Sequence, residues 1–153
     1  MNDFIDEFRP LFLAATSKIP KIYFQLPVAE PDGEVILIYR ERVYTYELYH
    51  QLRCLWTDGT PFYLCGEVDK TNSPIYKETS VNGLKPDLLV HVPGQAENLA
   101  VIEVKPINAA NREILKDLCS LEAFMHHAGY KKAFLLIYGA NENGHLDRII
   151  RLL

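Results

Sequence analysis

A chain of 153 residues, 48% hydrophobic and 24% charged, has the length and composition of one globular domain with a single core. Its net charge of −4 and pI near 5.7 exclude a global basic footprint, which weighs against a purely electrostatic nucleic-acid binder and leaves room for a metal ion with a local basic patch. Cys54, Cys65 and Cys119 are odd in number and form no CxxC, so they fit reduced thiols of a cytoplasmic protein rather than a disulfide framework or a zinc site.

The acidic N-terminus, with Asp3, Asp6 and Glu7, does not read as a secretory signal, and no apolar run reaches the length of a membrane span. Asp3 to Thr16 has helical spacing of Phe4, Ile5, Phe8, Leu11, Phe12 and Ala15, with a break expected at Pro10. Residues 17–34, with Pro20, Pro27, Pro31 and Asp32-Gly33, read as irregular structure with a short strand or helical turn. Residues 1–39 are thus an N-terminal extension packing on the core. Val35 to Tyr39 is a short strand or the approach to a helix.

Arg40 to Trp56 predicts a helix ending near Asp58-Gly59. At roughly 100° per residue, Leu48, Leu52 and Leu55 lie within about 60° of one another, and Glu41 falls in the same stripe while Glu47 lies roughly 100° away. Glu41 reads either as a helix-start acid favoured by the macrodipole or as a carboxylate aimed at the sheet. Phe62 to Glu67 predicts a strand, and residues 68–85, with Asn72, Pro74, Asn82 and Gly83, a polar loop.

Lys85 to Pro106 is the stretch that the rest of the chain serves. Residues 88–92 and 99–104 are apolar strands around a polar turn, Pro93 to Asn98. Asp87, Glu103 and Lys105 nevertheless sit in or beside these strands, and charges enter a buried sheet only when paired or binding something. With the turn centred on Gln95, paired residue numbers sum to 190, so Asp87 lies across from Glu103. Lys105, two residues on, shares the face of Glu103. Two opposed carboxylates repel unless a cation sits between them.

Ala109 to Ala128 is the clearest helix, with Ile114, Leu118, Leu121, Met125 and Ala128 spaced 4, 3, 4 and 3, and Gly129 just past its end. Lys131 to Tyr138 is a buried strand bounded by Gly139, Asn141 to Gly144 a turn, and His145 to Leu153 a short closing helix or strand. The order helix, strand, strand, strand, helix, strand over residues 40–138, followed by a C-terminal element at 139–153, predicts an α/β sandwich. The long helix permits a parallel crossover within a mixed sheet.

The chemistry of the charged patch follows from its donors. Asp and Glu oxygens are hard ligands suited to Mg²⁺ or Mn²⁺, and Asp87 and Glu103 with the backbone carbonyl of Val104 are the expected metal ligands. A metal there lowers the pKa of a bound water, and Lys105 orients the attacking water or stabilises developing charge, a set suited to phosphodiester hydrolysis.

Pro86-Asp87, fifteen intervening residues and Glu103-Val104-Lys105 resemble the motif of the PD-(D/E)XK nuclease superfamily. The resemblance spans about residues 40–138 and implies a restriction-endonuclease-like, three-layer α/β sandwich with a central mixed four-stranded sheet. It assigns metal binding to Asp87 and Glu103 and catalysis to Lys105. Many members add a glutamate from the first core helix, for which Glu41 is the best match and Glu47 and Glu67 weaker ones. The stretch from Glu41 through Leu52 resembles a Glu-Arg-initiated helix in small bacterial members of unknown function. Members related to recombination helicases carry a Gln and a Tyr in the helix after the lysine, where this chain offers Lys116 and Glu122.

Other residues have ordinary readings. His126 and His127 point about 100° apart on a helix, which suits a role at the C-terminal dipole better than a shared metal. His91 shares the face of Asp87 by parity and reads as a satisfied, partly buried histidine. Tyr44, Tyr46 and Tyr49 have the chemistry to stack on bases, although their helical spacing reads as packing and surface. Lys131-Lys132 and Arg148 with Arg151 are small basic clusters on which solvation is the default, and Gly94 alone is no phosphate loop.

The leading expectation is therefore a Mg²⁺- or Mn²⁺-dependent nuclease acting on nucleic acid, with DNA the favoured substrate and Glu41, Asp87, Glu103 and Lys105 as its catalytic set. Cutting both strands of a duplex would require a homodimer. The alternatives are a catalytically silent nuclease-like fold serving nucleic-acid binding or protein assembly, and a structural role in which Glu103 and Lys105 pair with a neighbouring helix.

Overall fold

The computed structural model describes residues 2–68, 81, 83–141, 144–145 and 148–152, with side chains described between residues 6 and 139. Most of the loop expected over residues 68–85, including Asn72, Pro74 and Asn82, lies outside the described residues, as do the centre of the turn expected at Asn141 to Gly144 and the side chains of Arg148 and Arg151.

Helix α1 (Asn2–Ser17) runs through Pro10 without the expected break. Pro10 and Asp6, whose carbonyl the missing N–H would have met, are both exposed, so water can take the free acceptor. Phe8 and Phe12 point inward and are fully buried, with ring centroids 5.7 and 5.3 Å from that of Phe134. The segment 17–34 contains one helical turn, Lys21–Tyr23, and strand β1 (Leu26–Ala29), which pairs as a hairpin with β2 (Val35–Ile38), the strand alternative for Val35 to Tyr39. Asp32 makes the turn by accepting from the Glu34 N–H at 3.1 Å, and Pro27 is tolerated because the ribbon has only two strands, both of them edges.

Helix α2 is Glu41–Leu55 and buries Tyr44, Thr45, Leu48 and Leu52. Strands β3 (Tyr63–Gly66), β4 (Leu88–His91), β5 (Asn98–Pro106) and β6 (Lys132–Tyr138), with α3 (Asn111–Ala128) between the last two, complete the expected core order. Helix α3 starts where the Glu113 carboxylate accepts from the Ala110 N–H at 3.0 Å, and stops at Gly129, whose φ of 68° is the left-handed value glycine adopts without penalty. Asn98, 4% exposed, donates to the Ala128 carbonyl at 2.6 Å and ties the start of β5 to the end of α3.

The chain is mixed α/β, and its sheet has five strands where four were expected. The order is β3-β4-β5-β6-β9, because Arg148–Leu152 closes the sheet as β9, antiparallel to β6. Covered on that side, β6 is a sheet interior, which accounts for its run of buried residues from Ala133 to Leu136. Two short strands, β7 (Ala140–Asn141) and β8 (Gly144–His145), pair with each other as a separate ribbon. The α3 crossover makes β5 and β6 parallel, with Glu103 opposite Leu135 and Lys105 opposite Ile137.

Parity divides the core. Leu88, Val90, Ala100, Ile102, Val104, Phe134 and Leu136 face α1 and α2, whereas Leu89, Val101, Ala133 and Leu135 face Leu121 and Phe124 of α3. Helices therefore cover both faces. Glu103 and Lys105 have the odd parity of the α3 face, at the C-terminal end of the central strand.

Candidate functional site

The expected hairpin register holds over the part that matters. Leu88 pairs Ile102, Leu89 pairs Val101 and Val90 pairs Ala100, each pair summing to 190, before a bulge at Val90/His91 shifts His91 onto Asn98. Asp87 and Glu103 occupy the next position beyond the end of this ladder. There the side chains replace the ladder bonds. Asp87 Oδ2 accepts from the Val104 N–H at 2.7 Å, and Glu103 Oε2 accepts from the Asp87 N–H at 3.4 Å. Each carboxylate is thus bonded to the other's strand.

Two helices close on this pair. Ser120 of α3 donates its hydroxyl to Glu103 Oε1 at 3.1 Å. Lys105 Nζ lies 2.9 Å from Glu41 Oε2 at the start of α2 and 3.2 Å from Asp117 Oδ2 of α3. Glu41, Asp87, Glu103 and Lys105 accordingly meet around one cleft of ≈ 300 Å³, whose wall also includes Lys85, Lys116, Asp117 and Ser120. The structure does not bring in the other two glutamates. Glu47 accepts from Gln51 Nε2 at 2.7 Å along α2, and Glu67 pairs with Arg42 at 3.2 Å on the exposed surface. His126 sits 3.9 Å from Glu122, both exposed and away from the site.

The electrostatics follow from burial. Loss of water pushes the Asp87 carboxyl up to about 6; the Val104 N–H opposes this, and the Glu41 charge adds to it. Glu103 is held well above the ordinary carboxylate range, first by burial and then by the charges of Asp87 and Asp117. Asp117 is also raised by burial, against the pull of Lys105. Burial alone would lower Lys105, but Glu41 and then Asp117 outweigh it and keep the ammonium charged above its ordinary range. Tyr138, stacked on Tyr44 at 3.8 Å between ring centroids, is raised by burial and by the charge of Glu41.

Sequence reasoning missed Asp117 and Ser120. A signal was present. At about 100° per residue, Asp117 falls between Leu121 and Phe124 on the buried face of α3, an acid set in an apolar stripe much as Glu41 is in α2.

Among the described residues no group of three or more His, Cys, Asp and Glu is arranged to hold a metal ion. Two carboxylates are enough for Mg²⁺, which keeps several of its waters and uses one or two protein carboxylates alongside substrate phosphate. The donor set fits such an ion: Asp87 and Glu103 are hard oxygen ligands bonded into each other's strands, and the Asp87 charge helps to hold the Glu103 carboxyl up. Also among the described residues, no helix is long and apolar enough to cross a membrane. Comparison with protein-family models, curated proteins and solved structures finds no match to this chain.

Proposed function

We propose that this chain is a metal-dependent phosphodiesterase of the PD-(D/E)XK type, a restriction-endonuclease-like nuclease acting on nucleic acid, with DNA the favoured substrate. One observation carries the reading. Asp87 and Glu103 are hydrogen-bonded across β4 and β5 in the wall of a cleft that also holds a charged lysine. Asp87 and Glu103 are the residues that would hold Mg²⁺ or Mn²⁺, which when bound supplies Lewis acidity toward a phosphoryl oxygen and an acidified water. The protein's own part is orientation and charge. Ser120 fixes the Glu103 carboxylate, and the Val104 N–H fixes that of Asp87. Glu41 and Asp117 hold Lys105 Nζ as a protonated ammonium, which suits it to stabilising charge on the scissile phosphate rather than to accepting a proton. Lys85 and Lys116 on the same wall favour approach of a polyanion despite the acidic net charge.

A second reading, a silent fold used for binding or assembly, is favoured by the two-sided pairing of Lys105, which resembles a structural ion-pair network. Against it stand Asp87 and Glu103, two carboxyls bonded into each other's strands although burial raises both, a costly arrangement for a site that serves stability alone. The test is cleavage of single- and double-stranded DNA and RNA with Mg²⁺ or Mn²⁺, run beside Glu103→Ala and Lys105→Ala. Activity that chelation abolishes and both variants lose supports the nuclease. Activity unchanged in both variants removes this site from the reaction.

A further inference from the structure

Beside the acidic cleft lies a larger one of ≈ 420 Å³, and Asp87 belongs to the walls of both. Its sides come from α2, through Tyr46 and Tyr49, and from the end of β3, through Gly66 and Glu67. Three features distinguish it from an ordinary surface hollow. First, the three tyrosines of α2 have separate fates. Tyr44 is buried in the core against Tyr138, and Tyr49 is half-buried with its hydroxyl 3.5 Å from the Leu64 carbonyl. Tyr46, 59% exposed, has no core to fill and belongs to the wall of the cleft.

Second, Gly66 is a strand residue paired with Leu88, without positive φ, and a Cβ there would meet nothing closer than 3.7 Å. Neither backbone geometry nor crowding demands glycine at this position, and the missing side chain leaves the cleft wall open where a ligand can approach closely. Third, the next residue, Glu67, has φ of 43°, the left-handed region that a glutamate rarely adopts. The Glu67 N–H donates to the Asp87 carbonyl at 3.1 Å, so this strained turn is tied to the residue that joins the two clefts.

We infer that this second cleft is a base-binding subsite: it takes one nucleobase adjoining the phosphodiester held at Asp87 and Glu103, stacked on the Tyr46 ring above the gap left by Gly66. The inference rests on the nuclease reading for the identity of its ligand, since a strand entering the acidic cleft must place a neighbouring base within reach of the shared wall. A flat, exposed tyrosine stacks on any base, so the subsite adds affinity and positioning without strong sequence preference.

The experiment uses the full chain with Ca²⁺ in place of Mg²⁺, so that binding is read without cleavage, and a single-stranded oligonucleotide carrying 2-aminopurine, whose fluorescence is quenched on stacking. Wild type quenches the probe. Tyr46→Ala binds roughly 10–100-fold more weakly and loses the quenching, whereas Tyr46→Trp retains both. Gly66→Leu, which fills the cleft from the opposite side and leaves Tyr46 in place, loses quenching as well. Quenching and affinity unchanged in both Tyr46→Ala and Gly66→Leu overturn the subsite, and Mg²⁺-dependent cleavage by the same proteins would leave the nuclease reading standing. Quenching that depends on Tyr46 in a protein that cuts no substrate supports the subsite and overturns the nuclease. A wild type that binds neither this probe nor a duplex of the same sequence overturns both.

Discussion

Asp87→Asn separates charge from geometry at the centre of the site. The amide oxygen of asparagine can still accept the Val104 N–H now bonded at 2.7 Å, so the strand end stays tied while the negative charge goes. Holding the carboxyl at about 6 rather than 3.8 means that ionised Asp87 opposes folding by up to about 3 kcal/mol at neutral pH, at about 1.4 kcal/mol per pH unit. The direction is fixed by proton counting. Between the unfolded and folded values the native state binds more protons than the unfolded chain, so stability is highest near pH 4, falls as pH rises toward 6, and stays low above it. Glu103, raised by the same burial and by Asp87 itself, acts in the same direction. With chelator present at pH 7, Asp87→Asn should therefore melt above wild type, by about 6–12 °C if the whole 3 kcal/mol is recovered in a chain of this size. Its stability should also vary less between pH 4 and 6. Adding Mg²⁺ at about a hundredfold over its dissociation constant should restore about 2.7 kcal/mol to wild type and little to the variant. Thermal denaturation across that pH range, with and without Mg²⁺, reads all three effects. An Asp87→Asn protein no more stable than wild type at pH 7, with an unchanged pH slope, would refute the claim that this carboxylate is held against its own electrostatics.

Two further predictions concern what holds the fold. Lys105→Ala leaves Glu41 and the 7%-exposed Asp117 without the ammonium between them. Breaking a buried pair costs about 3–5 kcal/mol, and the partial exposure of Glu41 places this one at about 3 kcal/mol by urea denaturation; a loss under about 1 kcal/mol would show that the pairing is solvent-screened. Adding Asp117→Asn should restore part of the loss, since the stranded charge is then gone. Phe12→Ala empties a fully buried position against Phe8 and Phe134 and should cost about 3–5 kcal/mol, while Arg42→Ala, which breaks the exposed pair with Glu67, should cost under about 1 kcal/mol. Equal costs for the two would mean that α1 is not part of the core.

Much of the fold was legible because periodicity and core packing agree. The α3 stripe, the Gly129 stop and the β4/β5 register each follow from one local rule, and each recurs in the structure. The failures have a common cause. Pro10 argues for a break only if its orphaned carbonyl is buried, and exposure is not readable from the segment alone. The strands of the β1/β2 hairpin were legible as alternatives at 17–34 and Val35 to Tyr39, but not their pairing, because Pro27 is excluded from a sheet interior and not from a two-stranded ribbon. Strand β9 is ambiguous in the sequence because Arg-Ile-Ile-Arg-Leu is too short for either period to dominate, and only the open edge of β6 makes it a strand.

The site shows the same division more sharply. Asp87, Glu103 and Lys105 were visible as charges where a sheet should have none, and their meeting depended only on a two-residue period and a turn centre. Asp117 required the same question to be put to a helix. Measured against Ile114, Leu121 and Phe124 it is as misplaced as Glu103 is among Val101, Ile102 and Val104, yet an acid beside Lys116 reads at first as a solvated helix face. Its partner, Lys105, lies twelve residues earlier on another element, beyond any local spacing rule. Once placed, Asp117 changes the role of the lysine. An ammonium held between two carboxylates is fixed in position and in charge, so on the proposed nuclease reading Lys105 would act as a stationary positive charge facing a phosphate. That role requires Asp117 as much as Glu41. Neutralising Asp117 should therefore loosen Lys105, and it also removes a charge that raises Asp87 and Glu103, so their carboxyls ionise more readily while the field on a cation weakens. These two effects on the metal pair oppose each other, so Asp117→Asn should lower the cleavage rate at saturating metal while leaving the affinity for Mg²⁺ within about threefold of wild type. A variant that instead loses metal affinity with its rate intact would make Asp117 a member of the metal site, and the assignment of the two carboxylate pairs would have to be exchanged.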